Sequence, residues 1–130
     1  MEPISPARLW TGRVLSGLSV LFLTFDAVVK LLQLPAAVTG TAELGFPESK
    51  VLAIGALLLA GVVLHVVPRT AVLGALYITA YLGGAVAAQV RVDNPLLSHV
   101  LFPTYVAAML WGGLVLRRPR LLTVLVGGGA

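Results

Sequence analysis

The chain has 130 residues, 58% of them hydrophobic and 11% charged, and nine Lys and Arg against five Asp and Glu give a net charge of +4. An ordinary soluble domain carries roughly 25% charged residues, so too little polar material is present to cover a water-soluble surface, and lipid must do part of the covering. The absence of cysteine excludes disulfide frameworks, thiolate nucleophiles and cysteine-based metal sites, and basic residues split among the ends of apolar runs argue against nucleic acid as a partner.

Four apolar runs follow. The first, about residues 9–34, is interrupted by Arg13 near its start and by Asp26 and Lys30 near its end. It closes at Pro35, which cannot continue a helical hydrogen-bond ladder. This run is too long for a signal-peptide core, and no small-residue cleavage site follows it, so it reads as a spanning helix. The second run, 51–67, is uncharged and closes at Pro68-Arg69; the third is 71–88; the fourth, about 99–116, closes at Arg117-Arg118-Pro119. At ~1.5 Å per residue the shortest reaches ~25 Å, the low end of what crosses a bilayer core. Barrel strands would be shorter and would alternate polar with apolar residues. The expected fold is all-α, a single membrane domain built as an up-down-up-down bundle of four transmembrane helices. With both termini inside, Arg8, Arg13, Arg69, Arg117, Arg118 and Arg120 face the cytoplasm, and Lys30, Lys50 and Arg91 face out. The positive-inside rule favours this N-in, C-in arrangement, which also puts Trp10 and Trp111 toward the cytoplasmic interface.

The connections are short except for the first. Pro68-Arg69-Thr70 makes a tight turn between antiparallel neighbours. In the first outer loop, residues 36–44 predict a short interfacial helix capped by Gly45, with Pro47 suited to the first turn of the next span. The tail LLTVLVGGGA is too short to span and is expected to lie at the interface or fray. Small residues recur at helical spacing in the third run (Ala80, Gly84 and Ala88, with Gly83 and Ala87), in the fourth (Ala108, Gly112) and in the second (Ala56, Ala60, Gly61). They predict close packing within the bundle, or between copies in a homo-oligomer.

Asp26 is the most informative polar residue. It lies about eight residues, ~12 Å, from the end of its run, and a carboxylate at mid-span costs ~2.5–3.5 kcal/mol on insertion scales. Lys30 is one turn later on the same face. One reading is a self-neutralising ion pair with Lys30 snorkelling outward; the other is a carboxylate poised to bind a ligand or move a proton. The short polar elbow between the third and fourth runs reaches the same side with Gln89, Arg91, Asp93, Asn94, Ser98 and His99. Taken singly these are ordinary loop and cap residues: Ser98 as the N-cap of a fourth helix opened by His99, Asn94-Pro95 as a turn. Together they supply acid, base, amide and guanidinium at one depth, as a small-molecule site requires. The candidate catalytic residues are Asp26 and His99, and the candidate substrate-binding residues are Lys30, Tyr81, Gln89 and Arg91. His65 falls at the opposite end from His99, so the two share no metal, and it reads as a satisfied interfacial histidine. Glu43, Glu48 and Lys50 read as solvated charges. No metal-ligand set, phosphate loop or serine triad signature is present, and the residues identify no cofactor.

The segment from Val66 to Leu121 resembles the DoxX-like family of small bacterial membrane proteins, through Pro68-Arg69-Thr70, the YLGGAVA run, Val90-Arg91-Val92, Ser98-His99 and Leu101-Phe102-Pro103. FDAVVKLL in the first run and LGFPES in the first loop extend the resemblance over nearly the whole chain. It implies a four-helix bundle in the bacterial inner membrane. The family name comes from a membrane subunit of a thiosulfate:quinone oxidoreductase, which implies a small lipophilic or quinone-like ligand, or a redox partner protein. Two departures stand out: Leu58 where relatives often carry glutamate, and Gln89 where they often carry histidine. Branches acting through cysteine pairs are excluded. An acid–base enzyme (an isomerase, cyclase or hydrolase acting on a hydrophobic substrate) and a purely structural subunit with an internal polar clasp are the alternatives.

Overall fold

Proline and the ends of the apolar runs divide the chain into helices. The computed structural model of the protein describes residues 4–127. Its α-helices are α1 (Pro6–Leu31), α2 (Pro35–Glu43), α3 (Val51–Val66), α4 (Ala71–Arg91), α5 (Phe102–Arg117) and α6 (Pro119–Leu125). Short 3-10 turns, Glu48–Lys50 and Pro68–Thr70, lead into α3 and α4, and a π-helical turn, Leu96–Val100, precedes α5. No strand occurs among the described residues. With their lead-in turns, the four long elements run for 26, 19, 24 and 22 residues, or ~28–39 Å against a hydrocarbon core of ~30 Å.

The bundle is cyclic. α1 packs against α3 and α5, and α4 closes the ring against the same two helices. Each connection reverses the chain, so the topology is up-down-up-down. Leu23 and Ala27 of α1, Leu58 and Val62 of α3, Ala75 and Ile78 of α4, and Leu110 and Leu114 of α5 fill the centre. The outward faces are apolar as well: Leu18, Leu21, Phe25, Leu57, Leu73 and Leu76 are all exposed. In water such a surface would aggregate; in a bilayer it is the surface that lipid requires.

Three helices converge on the end that carries the elbow, and each stops in the same way. After α1, Gln33 N–H donates to Lys30 O and Leu34 N–H to Val29 O, with Gln33 at φ +52°. After α2, Gly45 and Phe46 bond to Ala42 O and Thr41 O with Gly45 at φ +90°. After α4, Asp93 and Asn94 bond to Val90 O and Gln89 O with Asp93 at φ +64°. All three are Schellman caps built on a left-handed residue. Gly45 is where the sequence places it, but Gln33 and Asp93 replace glycine in the other two. As a result α1 ends at Leu31 rather than near residue 34, and α4 runs on to Arg91 rather than stopping at 88.

The opposite end gathers the arginines. Arg8 reaches from α1 to the carbonyls of Leu116 and Val115 at the end of α5, at 3.0 and 3.4 Å. Arg118 donates to Pro68 O at 2.9 Å, and the Arg13 guanidinium lies 5.0 Å from the Trp10 ring centroid. Cations there satisfy the unpaired carbonyls and negative dipole ends of helix termini. The tail forms the seven-residue α6, with Leu121 against the core and Leu122, Val124 and Leu125 exposed; residues 128–130 lie outside the described residues. The Trp111 indole N–H donates to Thr79 Oγ1 at 2.7 Å, joining α5 to α4.

The close approaches follow the small-residue stripes only in part: Gly61 of α3 leaves room for Tyr77 and Ile78 of α4, and Ala88 is buried. Gly83 and Gly84 have open space where a Cβ would stand, and Ala56, Ala60 and Ala80 are exposed. The closest backbone contacts are Gly12 with Gly113, which joins α1 to α5, Gly55 with Ala27 and Leu31, which joins α3 to α1, and Gly74 with Leu64 and His65, which joins α4 to α3. Gly74→Ala is therefore expected to destabilise the protein by about 1–3 kcal/mol through overpacking against immovable backbone, whereas Gly83→Ala, with open space at a mid-helix position, is expected to stabilise it by about 0.5–1 kcal/mol. Thermal unfolding of the two variants in detergent checks the contrast.

Candidate functional site

At the elbow end the helices do not close. Between them lies a cavity of ≈ 500 Å³ bordered by α1, α3, α4 and α5 and by the α2 segment through Thr41, Leu44 and Phe46. Its walls are mainly apolar, with Phe22, Leu23, Leu57, Phe102 and Val106 among them, and the Phe22 and Phe102 rings meet edge to face at 5.4 Å. Four of the six candidate site residues line it: Asp26, Lys30, Tyr81 and Gln89.

Asp26 and Lys30 come from the last turns of α1. Because α1 ends early, Asp26 lies only five residues, ~7.5 Å, before Leu31, nearer the helix exit than the apolar run implies. Its Oδ1 accepts from Lys30 Nζ at 2.5 Å, a short charge-assisted bond. Lys30 does not snorkel free. Its side chain is 15% exposed, and its Cβ packs where Gly55 of α3 leaves room, since a Cβ on Gly55 would stand 2.8 Å from it. The pair thus enters the cavity as a joined unit, and it is the one salt bridge among the described residues.

Tyr81 and Gln89 come from α4, two turns apart, so they share a face. The Gln89 oxygen accepts from Asn94 Nδ2 just beyond the helix end, which leaves the Gln89 NH2 to donate. Continuing α4 to Arg91 also separates two residues that an elbow beginning at 89 would have kept together. Positions 89 and 91 are ~200° apart around a helix, and Gln89 turns inward while Arg91 is exposed. Arg91 is not in the cavity lining; its guanidinium lies over Gly45, between the lining residues Leu44 and Phe46, so that a Cβ on Gly45 would collide with it. Arg91 therefore braces the loop that forms one wall.

His99 is also outside the cavity. The chain does not begin its fourth long α-helix at His99 with a Ser98 cap: α5 starts at Phe102, where Pro103 fits the first turn because its missing N–H is needed by no helical partner. Ser98 and His99 stand in the exposed π-helical turn, bonded to each other at 2.8 Å between Ser98 Oγ and His99 Nδ1. The structure thus brings Asp26, Lys30, Tyr81 and Gln89 together and leaves His99 and Arg91 apart from them. The α2 segment is the part of the wall that no polar residue in the sequence marks; its signal is LGFPES, where the left-handed Gly45 turns the chain so that Leu44 and Phe46 both line the cavity. Among the described residues no group of three His, Asp or Glu is placed to hold a metal ion.

Four long apolar helices, with apolar surface outside and an ion pair inside, define a multi-pass helical membrane protein. The family model for the DoxX-like family matches residues 14–113, which reach from α1 into α5, and the chain belongs to that family. No curated protein and no solved structure matches it. Leu58, the position of the first departure from the family pattern, is fully buried in the core, and Gln89, the second, lies on the cavity wall.

The ion pair sets a clear expectation. Lys30→Met leaves a partly buried carboxylate without its counter-charge and is expected to cost about 1–3 kcal/mol, discounted for the 32% exposure of Asp26. The double variant Asp26→Asn/Lys30→Met is expected to recover most of that loss, as a double-mutant cycle of unfolding curves would show.

Proposed function

We propose that the protein sits in the bacterial inner membrane and binds a small lipophilic, quinone-like molecule in the Asp26–Lys30–Tyr81–Gln89 cavity. The observation that carries this reading is the cavity: ≈ 500 Å³ falls within the ~300–1,000 Å³ of small-molecule sites, and a few polar groups in an apolar wall match their usual composition. The polar groups favour a ligand with carbonyl or phenolic oxygens. Lys30 has three N–H donors and gives one to Asp26, the Gln89 NH2 donates, and the Tyr81 hydroxyl donates or accepts. The aromatic and aliphatic wall suits a flat ring. With the arginine end in the cytoplasm, as the positive-inside rule favours, the cavity opens toward the outer leaflet.

The same site suits the membrane subunit of a redox system, in which a partner protein would exchange electrons with the bound molecule. An acid–base enzyme has less support. Asp26 is engaged by Lys30, and His99, the candidate second titrating group, stands outside the cavity. A clasp without a ligand would not call for a cavity beside it.

The test is binding of a short-chain benzoquinone to purified protein in nanodiscs, read by native mass spectrometry and titration. Tyr81→Phe and Gln89→Leu are each expected to weaken binding about tenfold, the loss of one hydrogen bond; unfolding is unchanged in Tyr81→Phe and falls by about 1 kcal/mol in Gln89→Leu, which also gives up the bond from Asn94. Absence of binding, or binding indifferent to both substitutions, sinks the reading.

A further inference from the structure

The arginine end holds a second recess that the proposed ligand site does not use. It is a crevice of ≈ 330 Å³ between α1, α3 and α5, lined by Arg13, Ser16, Gly17, Val20, His65, Val66 and Arg117. Two of the lining residues each keep a buried polar atom without a partner in the protein: Nε2 of His65 and Nε of Arg117. Buried polar groups are nearly always hydrogen-bonded, so each such exception asks for an explanation. His65 is only 4% exposed. Its Nδ1 is 2.9 Å from Ala71 O, and since a carbonyl only accepts, Nδ1 carries the hydrogen; the neutral ring then presents Nε2 as an acceptor. Arg117 donates through Nη2 to Ser16 Oγ at 3.0 Å, a neutral partner that does nothing for its charge.

Among the described residues no carboxylate answers these charges. Asp26, Glu43, Glu48 and Asp93, the acids among the described residues, belong to the other end of the bundle. A guanidinium is normally withdrawn from water against an anion that takes its N–H groups in pairs. The crevice therefore has the complement of an oxyanion: cationic donors in Arg13 and Arg117, and in His65 an acceptor for a hydroxyl. Phosphate groups meet both demands, through their charged oxygens and through a P–OH or a neighbouring alcohol. Chloride and carboxylates lack the hydroxyl. At ~30 Å³ per water, the crevice holds such a group with several waters.

We infer that this crevice is a binding site for a phosphate group. Its depth favours a lipid source: His65 and Arg117 stand in the last turns of α3 and α5 and Arg13 in the second turn of α1, the level of headgroups, where basic pockets between helices receive anionic lipids.

The full-length protein in phosphatidylcholine nanodiscs is the reference for the test. Phosphatidylglycerol added to the nanodiscs, or millimolar inorganic phosphate added to the buffer, is expected to raise the unfolding temperature, and native mass spectrometry is expected to retain the bound species. Stabilisation by both assigns the site to phosphate in general; stabilisation by the lipid alone assigns it to the headgroup. Arg117→Met removes the guanidinium with its unpartnered Nε, at the loss of the bond to Ser16, so it is expected to fold without the ligand and to bind at least about tenfold more weakly. Arg13→Gln, at an exposed position, gives the same loss of binding in a second, independent variant. Arg120→Gln removes one charge at the same end without touching the crevice and is expected to behave as the parent. If neither additive stabilises the protein, or if Arg117→Met and Arg13→Gln respond as Arg120→Gln does, there is no site.

Discussion

Hydrocarbon neither donates nor accepts a hydrogen bond, so every polar group held within a span needs a partner in the protein or a place near an end. The bundle obeys that constraint throughout. Hydroxyls in the spans fold back on their own helices, as Thr11 does on Ala7 O, Ser19 on Ser16 O and Thr79 on Ala75 O. Charges sort to the two ends. At one, arginines are held by helix-terminal carbonyls; at the other, a lysine and a carboxylate neutralise each other. The centre keeps only apolar and small residues, and its glycines set how closely the helices meet.

From this sorting the two recesses take opposite characters. The elbow-end cavity is large, mostly apolar and internally neutral, since its one cation is paired. The arginine-end crevice is smaller and carries positive charge that no carboxylate among the described residues offsets, beside an imidazole nitrogen without a partner. α1 serves both, with Asp26 and Lys30 near one end and Arg13 and Ser16 near the other. The family match, residues 14–113, takes in α3 and α4 and most of α1 and α5; the whole lining of the cavity falls within it, whereas Arg13 and Arg117 of the crevice fall just outside.

Much of this was legible in the residues. The four spans follow from the length of the apolar runs, and the turn at 68–70 and the helix at 35–43 follow from proline and Gly45. What escaped was how helices end when glycine is absent. Gln33 and Asp93 take the left-handed position that usually marks itself by glycine, and those two caps decide the depth of Asp26 and the inward turn of Gln89. The grouping of Asp26, Lys30, Tyr81 and Gln89 could be read from helical spacing once those ends were known; the separation of Arg91 and His99 could not be read without them. The glycine stripe of α4 misled for another reason. Four-residue spacing marks a smooth face without saying whether a helix, a cavity or lipid lies against it, and Gly84 borders the cavity.

The two recesses also lie nearly end to end. Val20 borders the crevice and Leu23 the cavity, and these residues are one turn, ~5 Å, apart along the same face of α1. What separates them there is one turn of α1 closed by Leu23, which is 1% exposed, so this one side chain divides an apolar recess that holds a paired charge from a cationic one.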